Sequence, residues 1–365
     1  MATPLKVGLV GTGGISNAHI TAYMEHPDRV QLKAVCDIDE SRAQEYAKKA
    51  GVEAVYTDFD KMLREADIEA VDNCTFHPQH APLCIAAAEA GKHVIVEKPM
   101  ALSMQECRDM IAAADKAGVT LMVAQHLRHS PEARTVKSII DEGKLGDILA
   151  VRTHIIGRGA GAGLERYSDA NLGGGVLQVN SVHHIDLLRY YVGNVKRVTG
   201  VCKSVGPRQI NGAEDLVIAN LAFENGVLGD LFSSPGESNG GMSYTVFGSN
   251  GTIQSTPPGM PSDDVPTRHF GTIMLGLKQE EEEIDRRDPR YVQRRYNAPF
   301  EAIDPSGIDL PSTNYFVNEI LHFEECVRTG REPTSSGRDN IETVKVILGI
   351  FESSRTGKAV NLDDL

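Results

Sequence analysis

Tryptophan is absent from the 365 residues, and aromatic residues amount to only 5%. The core must therefore be aliphatic. The six cysteines (Cys36, Cys74, Cys84, Cys107, Cys202 and Cys326) include no C-x-x-C pair. They read as small buried apolar residues rather than metal ligands or disulfide halves, which suits a reducing, cytoplasmic setting. No apolar run reaches the roughly 18 residues that a membrane-spanning helix needs. The opening "MATPLKVGLVG" lacks the basic and long apolar regions of a signal peptide, so none is expected. Positive charge is also scarce: 37 Lys and Arg against 50 Asp and Glu leave a net charge of −13. That balance opposes non-specific binding to nucleic acid or to an anionic membrane. The one basic cluster, Arg286, Arg287, Arg290, Arg294 and Arg295, follows the acidic run Glu280 to Glu283. Glu282 and Glu283 stand four residues before Arg286 and Arg287, so the cluster reads as a salt-bridged exposed helix.

What is present has two rhythms. The first third alternates short apolar runs ("LKVGLVG", "VQLKAVCD", "EAVDNCT", "HVIVEKP", "TLMVAQH") with helical segments. One helix closes on Gly51; another opens with Ser103 and Glu106 at capping-box spacing and closes on Gly118. This pattern predicts a parallel, doubly wound sheet with helices on both faces. From about residue 148 the strands alternate and are joined by Asn-Gly turns in "FENGVL" and "GSNGTI", which predicts a mainly antiparallel sheet. The length also argues for two domains. The stretch from Pro257 to Ser312 reads largely as loop and surface insertion. Two helices follow, one ending on Gly330 and one over roughly "NIETVKVILGIFESSRTG".

"VGLVGTGGISNAHI" places Gly11, Gly13, Gly14 and Ile15 between a strand and a helix, with Ser16 where a third glycine is usual. Such a turn lets a pyrophosphate approach backbone N–H groups at a helix N-terminus. Asp37 ends the second strand, where a carboxylate accepts from ribose hydroxyls and repels a 2′-phosphate. NAD is therefore expected over NADP. At the end of "HVIVEKP", Glu97 and Lys98 fall at the carboxyl edge of the parallel sheet, where ligands bind. A lysine there can hold a substrate oxygen and stabilise its developing negative charge. "GGGVLQVNSVHHIDLLRYY" carries His183 and His184, which on their own could be core residues, metal ligands or an acid–base pair. Adjacent histidines on a helix cannot easily face one ion, and no H-E-x-x-H accompanies them. His126 and His129 flank Arg128, so no metal is expected.

Together with "GLVGTGGIS", "CDIDESRA", "NCTFHPQHAPLCIAAAEAGKHVIVEKPMALS" and "HFEECVRTGREPTSSG", that glycine-rich segment makes the chain resemble the Gfo/Idh/MocA family of glucose–fructose oxidoreductases, inositol dehydrogenases and relatives. The resemblance implies an α/β protein with an N-terminal Rossmann domain (1–125). A C-terminal α/β substrate-binding and oligomerisation domain (126–365) would carry a large, mainly antiparallel sheet, its final helices packing back on the first. It implies that Thr75, Phe76, His77 and His80 form the loop beside the nicotinamide ribose, with Glu97 and Lys98 beside the nicotinamide. Gln125 would take a position where relatives often have Asn. Phe76 and His77 depart from the family's Pro and Asn. Aligned on the glycines, His183 takes the place of the family's general base and Val179 that of its aspartate.

The expected activity is oxidation of a secondary hydroxyl of a sugar, glycoside (C3 of a glucoside among them) or cyclitol. Hydride passes to NAD while Lys98 stabilises the oxygen and His183 removes the proton. Asn180, His184, Asp186, Arg128, Arg158 and Arg166 are the expected substrate-binding residues, with Asn180, Gln178 or Asp186 a partial substitute for the missing carboxylate. The loop "GRGAGAGLERYSDANLGGG" would shape or cover the pocket. Two alternatives are an enzyme that recycles bound NAD for isomerisation or glycosidic cleavage, and a non-catalytic sugar sensor. A homo-oligomer is expected.

Overall fold

The computed structural model describes residues 3–156, 165–206, 209–234, 241–256, 271–278, 287 and 299–365. The first six strands are β1 (Leu5–Val10), β2 (Val30–Cys36), β3 (Ala54–Tyr56), β4 (Ala70–Asn73), β5 (His93–Glu97) and β6 (Leu121–Ala124). They alternate with α1 (Ser16–Glu25), α2 (Glu40–Ala50), α3 (Phe59–Glu65), α4 (His80–Glu89) and α5 (Met104–Ala117). All six lie parallel in the order β3-β2-β1-β4-β5-β6, the doubly wound arrangement the sequence predicts. Strand order reverses between β1 and β4, which opens a crevice at the carboxyl edge. The local signals are present: Asp39 and Ser103 cap α2 and α5, and Gly51 and Gly118 end them in left-handed conformations.

After α6 (Pro131–Asp141) come β7 (Ile148–Ile156), α7 (Val182–Val192), β8 (Val195–Lys203), β9 (Leu216–Phe223), β10 (Leu228–Ser234), β11 (Gly241–Gly248), β12 (Gly251–Ser255), β13 (Ile273–Leu277) and β14 (Glu301–Ile303). The chain closes with α8 (Tyr315–Thr329), α9 (Gly337–Thr356) and β15 (Val360–Asn361). The second sheet has nine strands in the order β14-β13-β12-β11-β7-β10-β9-β8-β15. Among the described residues only β7 and β10 pair in parallel, and the other neighbours are antiparallel. Both Asn-Gly turns join antiparallel partners, β9 to β10 and β11 to β12. The Pro257–Ser312 stretch is not wholly loop, because β14 adds to β13 within it. The basic cluster lies outside the described residues apart from Arg287. The last long helix starts earlier than its apolar pattern suggests, because Ser336 caps it through the Asp339 N–H.

Three aliphatic cores hold these layers. Two sandwich the parallel sheet and the third lies under the nine-stranded sheet. Two late helices tie the halves together. Val317, Ile320, Leu321 and Phe323 of α8 are buried in one core of the parallel sheet, beside α1. Helix α9 gives Val344 to the other and Val346, Ile347 and Ile350 to the third. Ser335 clamps β6 by donating from Oγ to the Val123 carbonyl at 2.7 Å. No helix among the described residues is long and apolar enough to cross a membrane. Phe323 is 1% exposed, so Phe323→Ala removes a large buried ring from the junction. Equilibrium urea unfolding should show a loss of about 3–5 kcal/mol.

Candidate active site

The carboxyl edge of the parallel sheet collects the residues expected to hold a dinucleotide. Gly11 leaves β1 at φ +89°, and a Cβ there would stand 2.7 Å from the Thr75 backbone nitrogen, so only glycine lets these two turns touch. A Cβ on Gly14 would meet nothing within 4 Å. Ile15 precedes α1, whose N-terminus has no side-chain cap and no acidic residue in its first turn. Ser16 replaces the third glycine by turning its hydroxyl back to the Gly13 carbonyl at 2.7 Å. Open space beside an uncapped helix N-terminus fits a pyrophosphate.

Asp37 follows β2 and is clamped. Its Oδ2 accepts from the Thr12 N–H at 2.7 Å and the Thr12 hydroxyl at 2.9 Å, while Oδ1 accepts from the Asp39 N–H at 3.0 Å. Oδ1 thus keeps acceptor capacity for a ribose hydroxyl. At the far end of the crevice the Nε2 of Gln125, 1% exposed, is buried without a hydrogen-bond partner. Such an orphan donor suits an amide ligand.

The Thr75 loop is rigid. Thr75 donates from N and Oγ1 to Asn73 Oδ1 at 3.1 and 2.6 Å. His80 directs Nδ1 at the Pro99 carbonyl and Nε2 at the Thr75 carbonyl, 2.7 and 3.1 Å away. Burial lowers its pKa against the pull of those carbonyls. Phe76 stacks on His77 with centroids 4.8 Å apart and meets Tyr167 edge-on.

The second half of the chain reaches this edge through two hydrogen bonds. His77 Nδ1 donates to the Gly173 carbonyl at 2.9 Å, and the Lys98 ammonium donates to the Val179 carbonyl at 2.9 Å. The segment from 173 to 192 forms a π-helical turn (Leu177–Ser181) running into α7, a distortion common at functional sites. A Cβ on Gly175, at φ +109°, would sit 2.2 Å from a Glu214 carboxylate oxygen. Glu214 accepts the Leu177 N–H at 2.8 Å, and burial pushes its pKa up to about 7. Burial also lowers the Lys98 pKa, while Glu97 pulls it back up.

His183 is buried 4.5 Å, ring to ring, from His126. Asn180 and Val179 are partly buried in the π-turn. Three expected substrate ligands are corrected by their surroundings. Asp186 accepts from Arg128 Nε and NH2 at 2.6 and 2.7 Å, and from Asn340 and Thr343. Arg128 also holds Asp339 and the Thr334 carbonyl. The two therefore satisfy each other inside the fold and do not present charge to a ligand. His184 Nδ1 meets the Thr153 hydroxyl, which donates to the Ser243 carbonyl, so the ring fastens α7 to β7. Arg158, the Arg166 side chain and residues 157–164 of the expected covering loop lie outside the described residues.

Sequence reasoning missed Thr12, Glu214 and His19. His19 is fully buried, with Nδ1 3.0 Å from Asp72 and Nε2 3.1 Å from Glu97. Only its spacing after the glycine turn, one helical turn past Ser16, could have drawn notice.

Thr12→Val should cut the preference for NADH over NADPH roughly tenfold by removing one of the two hydrogen bonds that hold Asp37 Oδ2, while Thr12→Ser retains it. Fluorescence titration of the two cofactors measures the ratio. Glu214 binds its proton to near pH 7 when folded but releases it near its ordinary 4.5 when unfolded. Stability therefore falls as pH rises between those values. Glu214→Gln should stabilise the fold at pH 8 by on the order of 2 kcal/mol, read as a higher thermal midpoint, with the gain vanishing near pH 4.5.

Comparison with known proteins gives this geometry a setting. Residues 5–125 match the model of an oxidoreductase family with an NAD-binding Rossmann fold, and residues 137–362 match that family's C-terminal alpha/beta domain. The chain is 27% identical to D-apiose dehydrogenase of Paraburkholderia graminis, over 99% of this chain and 90% of that protein. It is 29% identical to myo-inositol 2-dehydrogenase of Thermotoga maritima, over 99% of each. Levoglucosan dehydrogenase in complex with NADH and levoglucosan superposes with a TM-score of 0.83, at 23% identity, covering 98% of this chain and 99% of that one. At that identity the likeness is one of fold. Both domain models together span nearly the whole chain, which belongs to the Gfo/Idh/MocA family of NAD-dependent oxidoreductases.

Proposed function

We propose that the protein oxidises a secondary hydroxyl of a sugar, glycoside or cyclitol, with C3 of a glucoside among the candidate positions. The observation that carries the reading is the Lys98 ammonium at the carboxyl edge, held against the carbonyl of Val179 in the turn that leads to His183. NAD, bound along Gly11, Gly13, Gly14, Ile15, Asp37, Thr75 and Gln125, would supply the hydride acceptor. Lys98 donates a hydrogen bond to the reacting oxygen and stabilises the charge that grows on it. His183 takes the hydroxyl proton, and Asn180 binds a neighbouring hydroxyl. The names of the relatives (apiose, inositol and levoglucosan dehydrogenases) support a small polyhydroxylated substrate.

Residues 1–125 would form the cofactor-binding domain and 126–365 the substrate-binding domain, in a cytoplasmic homo-oligomer. One face of the nine-stranded sheet supports assembly: Val201, Ile218 and Leu228 are each more than half exposed there, and Val201 pairs across strands with Ile218. An exposed aliphatic pair on a sheet face favours burial against a partner.

A screen of sugars, glycosides and cyclitols with NAD and with NADP, following NADH absorbance, tests the reading. Lys98→Met should lower kcat on the substrate found by about 10²- to 10³-fold, with NADH affinity nearly unchanged. Because burial depresses the Lys98 pKa, the alkaline fall in wild-type activity should begin below the pH at which free lysine titrates. Intact turnover by Lys98→Met would overturn the assignment.

A further inference from the structure

The first core of the parallel sheet contains a group of ionisable side chains that packing does not explain. His19 of α1 is 0% exposed, as are Asp72 of β4 and Glu319 of α8, and Glu97 at the end of β5 is 3% exposed. Each ring nitrogen of His19 faces a carboxylate, Asp72 at 3.0 Å and Glu97 at 3.1 Å. A neutral imidazole has one N–H and can donate to only one of them, so the pair of contacts calls for the imidazolium. Burial alone would lower the pKa of His19, yet the Asp72 carboxylate leaves it well above the ordinary value. Tyr23 completes the far end by donating to Asp72 Oδ2 at 2.7 Å. At the near end, Glu97 Oε2 accepts the Lys98 N–H at 3.0 Å.

The result is one unbroken run of charge-assisted hydrogen bonds: Tyr23 to Asp72, His19 to Asp72 and Glu97, and the Lys98 N–H to Glu97. Apolar side chains of the same volume would make a more stable core, since burying ions costs more than their pairing usually returns. A metal is not the explanation. His19, Asp72 and Cys74 do bring ligand atoms within 4.8 Å of one another, but His19 already spends both nitrogens on carboxylates. Burial also holds the Cys74 thiol protonated.

We propose that His19 is a positioning residue for Lys98, acting through Glu97. It fixes the Glu97 carboxylate, which fixes the first peptide beyond β5. That peptide sets the direction in which the Lys98 ammonium crosses to the Val179 carbonyl. Without the imidazolium, Asp72 and Glu97 would be two buried carboxylates with no cation between them, and the cluster that holds the Lys98 peptide would have to rearrange.

This inference rests on the hydride-transfer role given to Lys98, but it can be tested without any substrate. Amine-selective labelling of Lys98 at pH 8, read by peptide mass with and without NADH, reports the placement and free-amine fraction of that one side chain. In His19→Leu and in Glu97→Gln, which keeps the side chain's shape and loses its charge, labelling should be at least about fivefold faster than in wild type. On a substrate found by the screen, His19→Leu should lower kcat roughly 10- to 100-fold, with KM and NADH affinity within about threefold. Thermal midpoints identify variants that fail to fold, and Glu97→Gln carries the test if His19→Leu does. Wild-type labelling rates in folded variants, or equal losses in kcat and NADH affinity, would overturn the proposal. Absence of wild-type turnover on every polyol would instead count against the hydride-transfer reading, and the labelling would still decide the role of His19.

Discussion

The Lys98 ammonium donates to the Val179 carbonyl across 2.9 Å, and the assembly of the site depends on that contact. Lys98 directly follows a strand of the parallel sheet, whereas Val179 sits in a π-turn delivered by the other half of the chain. The parallel hydrogen bond from His77 to Gly173 fixes the start of the same segment. The two bonds hold the start of the segment and its π-turn against the crevice, and α7 with His183 follows directly. Neither bond is strong by itself, each contributing about 1–3 kcal/mol. Their effect is geometric, and it is amplified because α8 and α9 already lock the two halves through shared apolar cores.

Around that contact the fold spends stability on buried polar groups in three places: the His19 cluster, the Arg128–Asp186–Asp339 network and Glu214. They do different work. Arg128 joins the turn after β6 to α7 and to the first turn of α9, so one guanidinium sets the spacing of three elements. Glu214 braces the π-turn from behind, at the Leu177 N–H, and its closeness explains why Gly175 has no side chain. The His19 cluster backs the lysine turn. All three lie one layer behind the residues that would meet cofactor or substrate, where precise placement costs most and matters most.

Membership of the Gfo/Idh/MocA family accounts for the two sheets and for the crevice at the switch of strand order. It does not account for the local chemistry beside Lys98. A valine stands where the family resemblance leads one to expect a carboxylate. Asp186, the nearest candidate in sequence, is bound to Arg128. The Phe76, His77 and Tyr167 rings gather at the Thr75 loop, where the family resemblance leads one to expect proline and asparagine.

The sequence alone was enough for the parallel sheet, the glycine turn, Asp37, the lysine at the strand end and both Asn-Gly hairpins. These are written in local terms: period, caps, turn residues and residues adjacent in the chain. Residue pattern by itself could not separate His183 from His184, and only the family resemblance singled out His183, since neighbours on a helix differ only in what surrounds them. Tertiary structure put one ring against His126 and the other against Thr153. Nor could it reveal that Arg128 and Asp186, 58 positions apart, neutralise each other, or that His19 reaches Glu97 across 78. Charge pairing between distant residues leaves no periodicity in the chain; only the packing of one element on another decides which charges meet.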